Sequence, residues 1–220
     1  MSEILVINPN SSSAVTRSME ACLARVAEGA RHDIRCIDLP KSPPGIETDD
    51  HVAAVVPHVI EAVTQSTSDA FVVGCFSDPG VALARRVTKR PVIGIAEAAY
   101  LAALGLGRRF GIVSLGPSSI NRHLKYLVDL KLDGRLAGDR SIDMGISALS
   151  GRDVIEIVVR VGKRLRDEDG ADVVILGCAG LGRYRAAVEQ ELDLPVVDPV
   201  QAGAALACTT LDLGYRMRTI

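Results

Sequence analysis

The chain has 220 residues, of which 48% are hydrophobic and 24% charged, and its formal net charge is −2. This balance is typical of a globular protein, and the length allows one large domain or two small lobes. With 3% aromatic residues and no Trp, the chain lacks the basic and stacking surfaces that nucleic-acid binding requires. It also lacks an uncharged apolar run of the roughly 18 residues that span a membrane.

Short apolar runs rich in Val and Ile alternate with longer helical patterns, which predicts parallel strands connected by helices. Strands are predicted at Glu3–Ile7, Asp33–Ile37, Ala70–Gly74, Val92–Ile95, Phe110–Ser114, Asp172–Gly177 and Val196–Val197. Helices are predicted at Ser13–Gly29, Asp49–Thr67, Pro79–Thr88, Ala96–Leu104, Ser118–Val128, Asp153–Glu168, Tyr184–Gln190 and Val200–Leu211. Residues 132–151, rich in Gly, Asp and Ser, are predicted to form an exposed connection and a candidate lid.

The order of these elements indicates a diverged duplication. Residues 4–12 and 111–119 both combine a strand, a Pro-containing turn and Ser residues able to cap a helix. In each half a strand ending in Gly-Cys follows, and then a short strand behind a proline. We therefore predict an α/β fold of two similar lobes, each with a mostly parallel sheet flanked by helices. The first lobe is expected at 1–104 and the second at 105–199, with the terminal helical segment 200–220 packing back on the first.

Cys75 and Cys178 end matching apolar strands in the two halves. Open α/β sheets bind ligands at the carboxyl ends of their strands, and a thiol titrates near neutral pH. A helix is predicted after each cysteine, so its N-terminus should lower the thiol pKa, with Asp78 as cap and Pro79 in the first turn after Cys75. One thiolate can take a proton from one face of a carbon while the other thiol protonates the opposite face. The pair thus predicts a racemase that needs neither a metal nor a cofactor.

The residues around the two thiols are the candidate substrate-binding groups. A carbanion needs hydrogen-bond donors beside it, which the backbone after each cysteine and the Asn-Pro-Asn turn of the first strand can supply. Ser114 closes the strand equivalent to the first one. The full set is Asn8, Pro9, Asn10, Phe76, Ser77, Ser114, Ala179 and Gly180.

Other reactive side chains are interpreted as structural. Three cysteines fall inside predicted helices or strands and are expected to pack there: Cys22, Cys36 and Cys208. The four histidines show no ligand spacing and are expected at surface or helix positions: His32, His51, His58 and His123. Asp69 and Asp172 are expected at strand starts, far from the site. No metal site, Walker pattern or dinucleotide fingerprint is predicted.

Four segments resemble the aspartate/glutamate/hydantoin racemase superfamily, and most closely its hydantoin/allantoin racemase branch. They are Ile7-Asn8-Pro9-Asn10-Ser11, Gly74-Cys75-Phe76-Ser77-Asp78-Pro79-Gly80, Pro91-Val92-Ile93-Gly94-Ile95 and Leu176-Gly177-Cys178-Ala179-Gly180-Leu181. The resemblance implies two α/β lobes with the active site in the cleft between them. It implies a cofactor-independent reaction with Cys75 and Cys178 as the two bases. It also implies that the Asn-Pro-Asn turn and the loops after the cysteines hold ring carbonyls or a carboxylate.

The resemblance also bears on the substrate. Aspartate and glutamate racemases carry Asn-Thr and Thr-Glu or Thr-His after their cysteines, where this chain has Phe76-Ser77 and Ala179-Gly180. That difference favours a neutral or cyclic small molecule, namely a 5-substituted hydantoin or allantoin, over a free amino acid. Related arylmalonate decarboxylases have Gly at the first cysteine position, so Cys75 favours racemisation. An amino-acid racemase, a maleate-type isomerase, a decarboxylase and a non-catalytic binding protein remain alternatives.

The start of the chain and its cysteines bear on its location. Met1-Ser2-Glu3 leads directly into an apolar strand without a basic region or a cleavage site. The five cysteines are widely spaced, which favours reduced thiols over a disulfide framework. We expect a cytoplasmic protein that binds neither nucleic acid nor membranes and that associates as a homo-oligomer, with apolar helix faces such as 96–104 at the interface.

Overall fold

The computed structural model describes residues 1–149, 151 and 153–215. Eight strands lie within these residues: β1 (Glu3–Asn8), β2 (Asp33–Asp38), β3 (Ala70–Val73), β4 (Val92–Gly94), β5 (Phe110–Ser114), β6 (Leu136–Ser141), β7 (Val173–Leu176) and β8 (Val196–Val197). The α-helices there are α1 (Ser13–Gly29), α2 (Asp49–Gln65), α3 (Val81–Val87), α4 (Ile95–Leu106), α5 (Pro117–Asp129), α6 (Val154–Asp167), α7 (Arg185–Leu192) and α8 (Pro199–Asp212). Short 3-10 turns occupy Asp133–Arg135, Ile146–Ala148 and Ala179–Tyr184.

The described strands form two parallel sheets with the same internal order. The first sheet runs β2-β1-β3-β4 and the second runs β6-β5-β7-β8. Each strand of the first sheet therefore has a counterpart in the second. This arrangement confirms the predicted α/β fold of two similar lobes, and the predicted strands and helices agree with the observed ones to within two residues at each end.

The prediction for residues 132–151 is partly wrong. Leu136–Ser141 forms the edge strand β6, which pairs with β5 as β2 pairs with β1. The sequence of β6 lacks the apolar pattern of a buried strand. All six residues are half-buried, and they include Asp139 and Arg140. Arg140 Nε donates to Asp169 Oδ2 at 2.6 Å, so a charged side chain of this edge strand has an ion-pair partner. The segment after β6 is irregular apart from its 3-10 turn, and Ser150 lies outside the described residues.

The two lobes share buried packing. Helix α4 continues to Leu106, past the predicted lobe boundary at 104. Its Tyr100 is fully buried, stacks on Phe110 of the second sheet and meets Phe76 of the first lobe edge-on. Helix α8 follows the second sheet but packs against the first, with Val200 and Ala204 in the same apolar cluster as Ile4, Val6 and Val72. Residues 216–220 of the predicted terminal segment lie outside the described part of the chain.

Asp69 and Asp172 make equivalent hydrogen bonds in the two lobes. The Glu3 backbone N–H donates to the Asp69 carboxylate at 2.8 Å, and the Arg108 and Arg109 N–H groups donate to Asp172 at 3.0 and 3.1 Å. Each carboxylate thereby ties the start of one strand to the start of its neighbour, as a structural role predicts. Among the described helices, none has the length and apolar character needed to cross a bilayer.

Candidate active site

The glycine before each cysteine brings the strand end against its neighbour. Gly74 N donates to Ile7 O at 2.8 Å, and Gly177 N donates to Val113 O at 2.9 Å. A Cβ at Gly177 would lie 2.8 Å from Val113 O, closer than side chains tolerate, and one at Gly74 would collide with Met19. At Gly177 the obstacle is backbone, so only glycine fits there, whereas at Gly74 the obstacle is the flexible end of the Met19 side chain. The chain leaves each sheet at the same point, and the next residue is the thiol.

Both thiols line one small cavity at the carboxyl ends of the two sheets. Its volume is about 40 Å³. Seven of the ten residues predicted for the site line it: Asn10, Cys75, Phe76, Ser77, Cys178, Ala179 and Gly180. A wider cleft of about 490 Å³ adjoins the cavity and shares Val15, Ile146 and Gly180 with it. The site therefore has a small inner chamber and a larger antechamber.

The other three predicted residues are buried behind the cavity wall. Asn8 ends β1, and its Nδ2 donates to Asn10 Oδ1 at 2.9 Å and to Thr16 Oγ1 at 3.1 Å. Ser114 holds the equivalent position at the end of β5, and Pro9 is buried beside Asn8. Direct substrate contact was expected of these residues. In the structure Asn8 positions Asn10, and Ser114 positions a histidine.

His123 is a site residue that the sequence analysis missed. His123 lies on α5, as the expectation of a surface or helix position allows, but it is 2% exposed rather than at the surface, and it lines the cavity. Its Nδ1 lies 3.1 Å from Ser114 Oγ and 2.8 Å from Asp139 Oδ2. Asp139 comes from β6, the strand that the sequence pattern did not reveal, so its pairing with His123 could not be seen along the chain.

Two segments from opposite lobes close over the cavity and bond to each other. Glu47 of the first lobe accepts a hydrogen bond from Ile146 N of the second lobe at 2.8 Å. Arg122 of α5 reaches back across the cleft to Asp49 Oδ1 at 2.9 Å and to the Glu47 carbonyl at 3.3 Å. Arg122, Ile46 and Ile146 all line the cavity. The covering segments thus hold the two lobes together directly above the thiols.

Burial outweighs hydrogen bonding in setting the thiol acidities. It raises the pKa of Cys75 to about 11 and that of Cys178 to about 12, against the ordinary value of 9.0. The backbone N–H groups of Ser77 and Gly180 do stabilise the two thiolates, and Gly180 N lies 3.4 Å from Cys178 Sγ. The predicted net lowering of the thiol pKa is nevertheless wrong, because the desolvation cost in the closed cavity is larger.

Asp78 caps a different helix from the one predicted. Helix α3 begins only at Val81, after Gly80 in a left-handed conformation, so neither Asp78 nor Pro79 starts it. The Asp78 carboxylate instead accepts from the Ala96 and Glu97 N–H groups at the start of α4, both at 2.9 Å. Burial raises the pKa of Asp78 to about 7. The loop after Cys75 is thereby fastened to the helix between the lobes.

Comparison with known proteins places the chain in a family. The Asp/Glu/Hydantoin racemase family model matches residues 4–207. The chain belongs to this racemase family. Hydantoin racemase from Paenarthrobacter aurescens is 37% identical, over 97% of this chain and 92% of its own. Allantoin racemase from Klebsiella pneumoniae is 31% identical with a TM-score of 0.94, covering 99% of this chain and 91% of that one. The match extends over both lobes, so this chain is a racemase.

More distant relatives share the fold of this racemase. Glutamate racemase from Francisella tularensis is 16% identical with a TM-score of 0.72, covering 97% of this chain and 82% of that one. Its similarity shows the two-lobed fold alone.

The two thiols of the racemase lie in different electrostatic surroundings. Asp78 disfavours the thiolate of Cys75 and Arg122 favours it, with Asp78 the larger of the two effects, whereas the neighbouring Cys75 and Glu47 both disfavour the thiolate of Cys178. The pKa of Cys75 is raised less, to about 11, than that of Cys178, to about 12. In the described part of the chain, no three His, Cys, Asp or Glu side chains come together as metal ligands.

Proposed function

We propose that this racemase inverts the C5 stereocentre of a 5-substituted hydantoin or of allantoin, with Cys75 and Cys178 as its two bases. One observation carries the proposal: the two thiols end equivalent strands of the two lobes and line one cavity. The hydantoin racemase at 37% identity and the allantoin racemase with a TM-score of 0.94 support the substrate class.

In this mechanism the substrate ring lies between the two lobes, with C5 between the sulfurs. The thiolate of one cysteine takes the C5 proton, and the thiol of the other protonates the opposite face of the planar enolate. Each turnover exchanges the protonation states of the pair. The reversed pair is competent for the other enantiomer, and proton exchange between the thiols and water restores the starting form for another turnover in the same direction. Cys75 is the better candidate for the resting thiolate, because its pKa is raised less than that of Cys178, to about 11 against about 12.

The developing enolate oxygen needs donors that the thiols do not already occupy. Ser77 and Gly180 direct their N–H groups to the sulfurs. The Phe76 and Ala179 N–H groups donate no hydrogen bond within the described part of the chain, and both residues line the cavity. We assign these two equivalent N–H groups to the C4 carbonyl, where removing one donor typically costs about 10²-fold or more in kcat.

The antechamber is the proposed place for the C5 substituent. Sites for small organic ligands measure about 300–1,000 Å³, so the inner cavity of about 40 Å³ must widen to admit a ring, whereas the adjoining 490 Å³ is already large enough for a substituent. Its wall mixes apolar groups such as Pro43 and Leu149 with polar ones such as Ser12 and Arg183. Widening requires the Glu47–Ile146 contact to open.

The charge pattern disfavours dianionic or zwitterionic substrates. A malonate, a maleate or a free amino acid would require cations or several strong N–H donors for its carboxylates. Arg122 is the cation that lines the cavity in the described chain, and it already bonds to Asp49, the Glu47 carbonyl and three serines. A neutral cyclic ureide requires no such partner.

The test is the loss of optical rotation by single enantiomers of a hydantoin panel and of allantoin, corrected for unaided racemisation. Cys75→Ser and Cys178→Ser should each abolish the enzymatic rate, while Cys208→Ser on α8 should leave it unchanged. Full activity of either site variant would refute the assignment of the two bases. If the wild type is inactive on the whole panel with its thiols reduced, the substrate class is wrong.

Self-association and a cytoplasmic location stay predictions. Light scattering of the purified chain would give its mass in solution, and a mass of one chain would contradict the expected homo-oligomer.

A further inference from the structure

His123 is held in one orientation by its buried neighbours. Its Nδ1 lies 2.8 Å from Asp139 Oδ2, and the Ser114 hydroxyl donates to the other Asp139 oxygen. The Asp139 side chain is 3% exposed. A carboxylate accepts hydrogen bonds, so the tautomer that fits these contacts is the one with its single proton on Nδ1. That tautomer leaves a lone pair on Nε2.

The ring edge that carries Nε2 is turned away from Asp139 and Ser114, and His123 lines both the thiol cavity and a neighbouring cleft of about 240 Å³. Phe76 packs against the His123 ring at 4.9 Å between centroids and 88° between planes, which fixes the ring plane. Nδ1 is directed to Ser114 and Asp139, and neither of these lines the cavity, whereas His123 does. Nε2 has no hydrogen-bond partner among the described residues, although the side chain is 2% exposed.

We propose that His123 is a specificity-determining residue whose Nε2 accepts a hydrogen bond from the N1–H group of the substrate ring. This inference rests on the proposed function. Among the other polar groups of the cavity, the Phe76 and Ala179 N–H groups and the Arg122 guanidinium are donors, while three acceptors are already used: Asn10 Oδ1 accepts from Asn8 and Ser12, and the Ser77 and Ser119 hydroxyls accept from Arg122. A cyclic ureide has N–H groups as well as carbonyls and therefore needs an acceptor. N1 is bonded directly to C5, so it lies beside the thiols whenever C5 does.

The proposed contact selects substrates by their N–H group. A buried acceptor left without a donor typically costs about 1–3 kcal/mol. A ring with oxygen in place of N1–H should thus be discriminated against, although its size and its acidic C5–H are preserved. Asp139 and Ser114 act through His123 as positioning residues, since they fix the tautomer without reaching the cavity.

The experiment compares 5-benzylhydantoin with 5-benzyl-oxazolidine-2,4-dione, in which ring oxygen replaces N1–H. The kcat/KM for each is divided by its uncatalysed C5 exchange rate, which removes the intrinsic difference in acidity. The variant is His123→Asn, because an Asn side-chain amide can still donate to Asp139 but offers no acceptor at the position of Nε2. The control is His58→Asn on α2, where His58 Nδ1 lies 2.9 Å from Ser42 Oγ and the side chain lines a separate cleft.

The wild type and His58→Asn should prefer the hydantoin by about 30-fold, and His123→Asn should reduce that preference to about 3-fold or less. An equal preference in the wild type and a folded His123→Asn variant would overturn the inference and leave the proposed function standing. Inactivity of the wild type on the hydantoin would overturn both.

A second measurement does not depend on how the variant folds. In wild-type enzyme with ¹⁵N-labelled histidine, titration with racemic 5-benzylhydantoin should shift the Nε2 resonance of His123. The Nδ1 resonance, already bonded to Asp139, should move much less. An unchanged Nε2 resonance at saturation would overturn the inference.

Discussion

The two site thiols are half-buried, and their raised pKa values should leave little thiolate near neutral pH, which alkylation should reveal. With a pKa of about 11 for Cys75, compared with 9.0 for an ordinary thiol, the thiolate fraction at pH 8 falls from about 10⁻¹ to about 10⁻³. The more basic thiolate is a better nucleophile, which recovers about tenfold of that hundredfold loss. Alkylation of Cys75 at pH 8 should therefore be about tenfold slower than in the unfolded chain, even before access is considered.

The dependence of the alkylation rate on pH tests this reasoning without an assumption about how easily the reagent reaches the thiols. Brief iodoacetamide pulses between pH 7 and 10.5, followed by peptide mass spectrometry, give a rate for each cysteine. For Cys75 and Cys178 the rate should rise tenfold per pH unit up to pH 10, whereas the same cysteines in urea should level off near pH 9. A plateau below pH 9 in the folded protein would show that hydrogen bonding outweighs burial and would refute the argument.

Two further predictions concern single residues near the thiols. Gly177→Ala should lower the free energy of unfolding in urea by about 1–3 kcal/mol, because its Cβ meets the Val113 carbonyl at 2.8 Å. The matched Gly105→Ala change inside α4, where no atom lies within 4 Å, should raise stability by up to about 1 kcal/mol; equal losses would contradict the packing argument. Glu47→Gln removes a charge that raises the pKa of Cys178, so the alkylation profile of Cys178 should move to lower pH. An unchanged profile would show that Glu47 does not act on that thiol.

Much of the fold follows from local sequence patterns. Strands such as β1, β3 and β7 contain continuous apolar runs, since both faces of a central parallel strand are buried. Strand β6 lacks that pattern because an edge strand is half-buried. The duplication itself indicates β6. In the first half β2 follows α1, so the equivalent strand of the second half is expected after α5. Combining the repeat with the local pattern would have predicted β6.

The parts of the site that follow directly from strand ends were predictable from the sequence. The parts that depend on side-chain partners from distant elements were not. Cys75 and Cys178 follow their strands by two residues, so the topology alone brings them to one cleft. The partner of His123 is Asp139, 16 residues further on, and β6 brings the two together. The direction of the thiol pKa shifts also escaped prediction, because it depends on how completely the two lobes close over the sulfurs.

Early turnover in D₂O tests the central claim most directly. A single enantiomer of 5-benzylhydantoin is incubated with the enzyme to a few per cent conversion, the enantiomers are separated, and C5 deuterium is measured in each. Two bases on opposite faces predict that the product carries deuterium from the second thiol while the recovered substrate still carries hydrogen. Deuterium in the recovered substrate at a rate that matches its appearance in the product would mean that one base serves both faces, which would contradict the account.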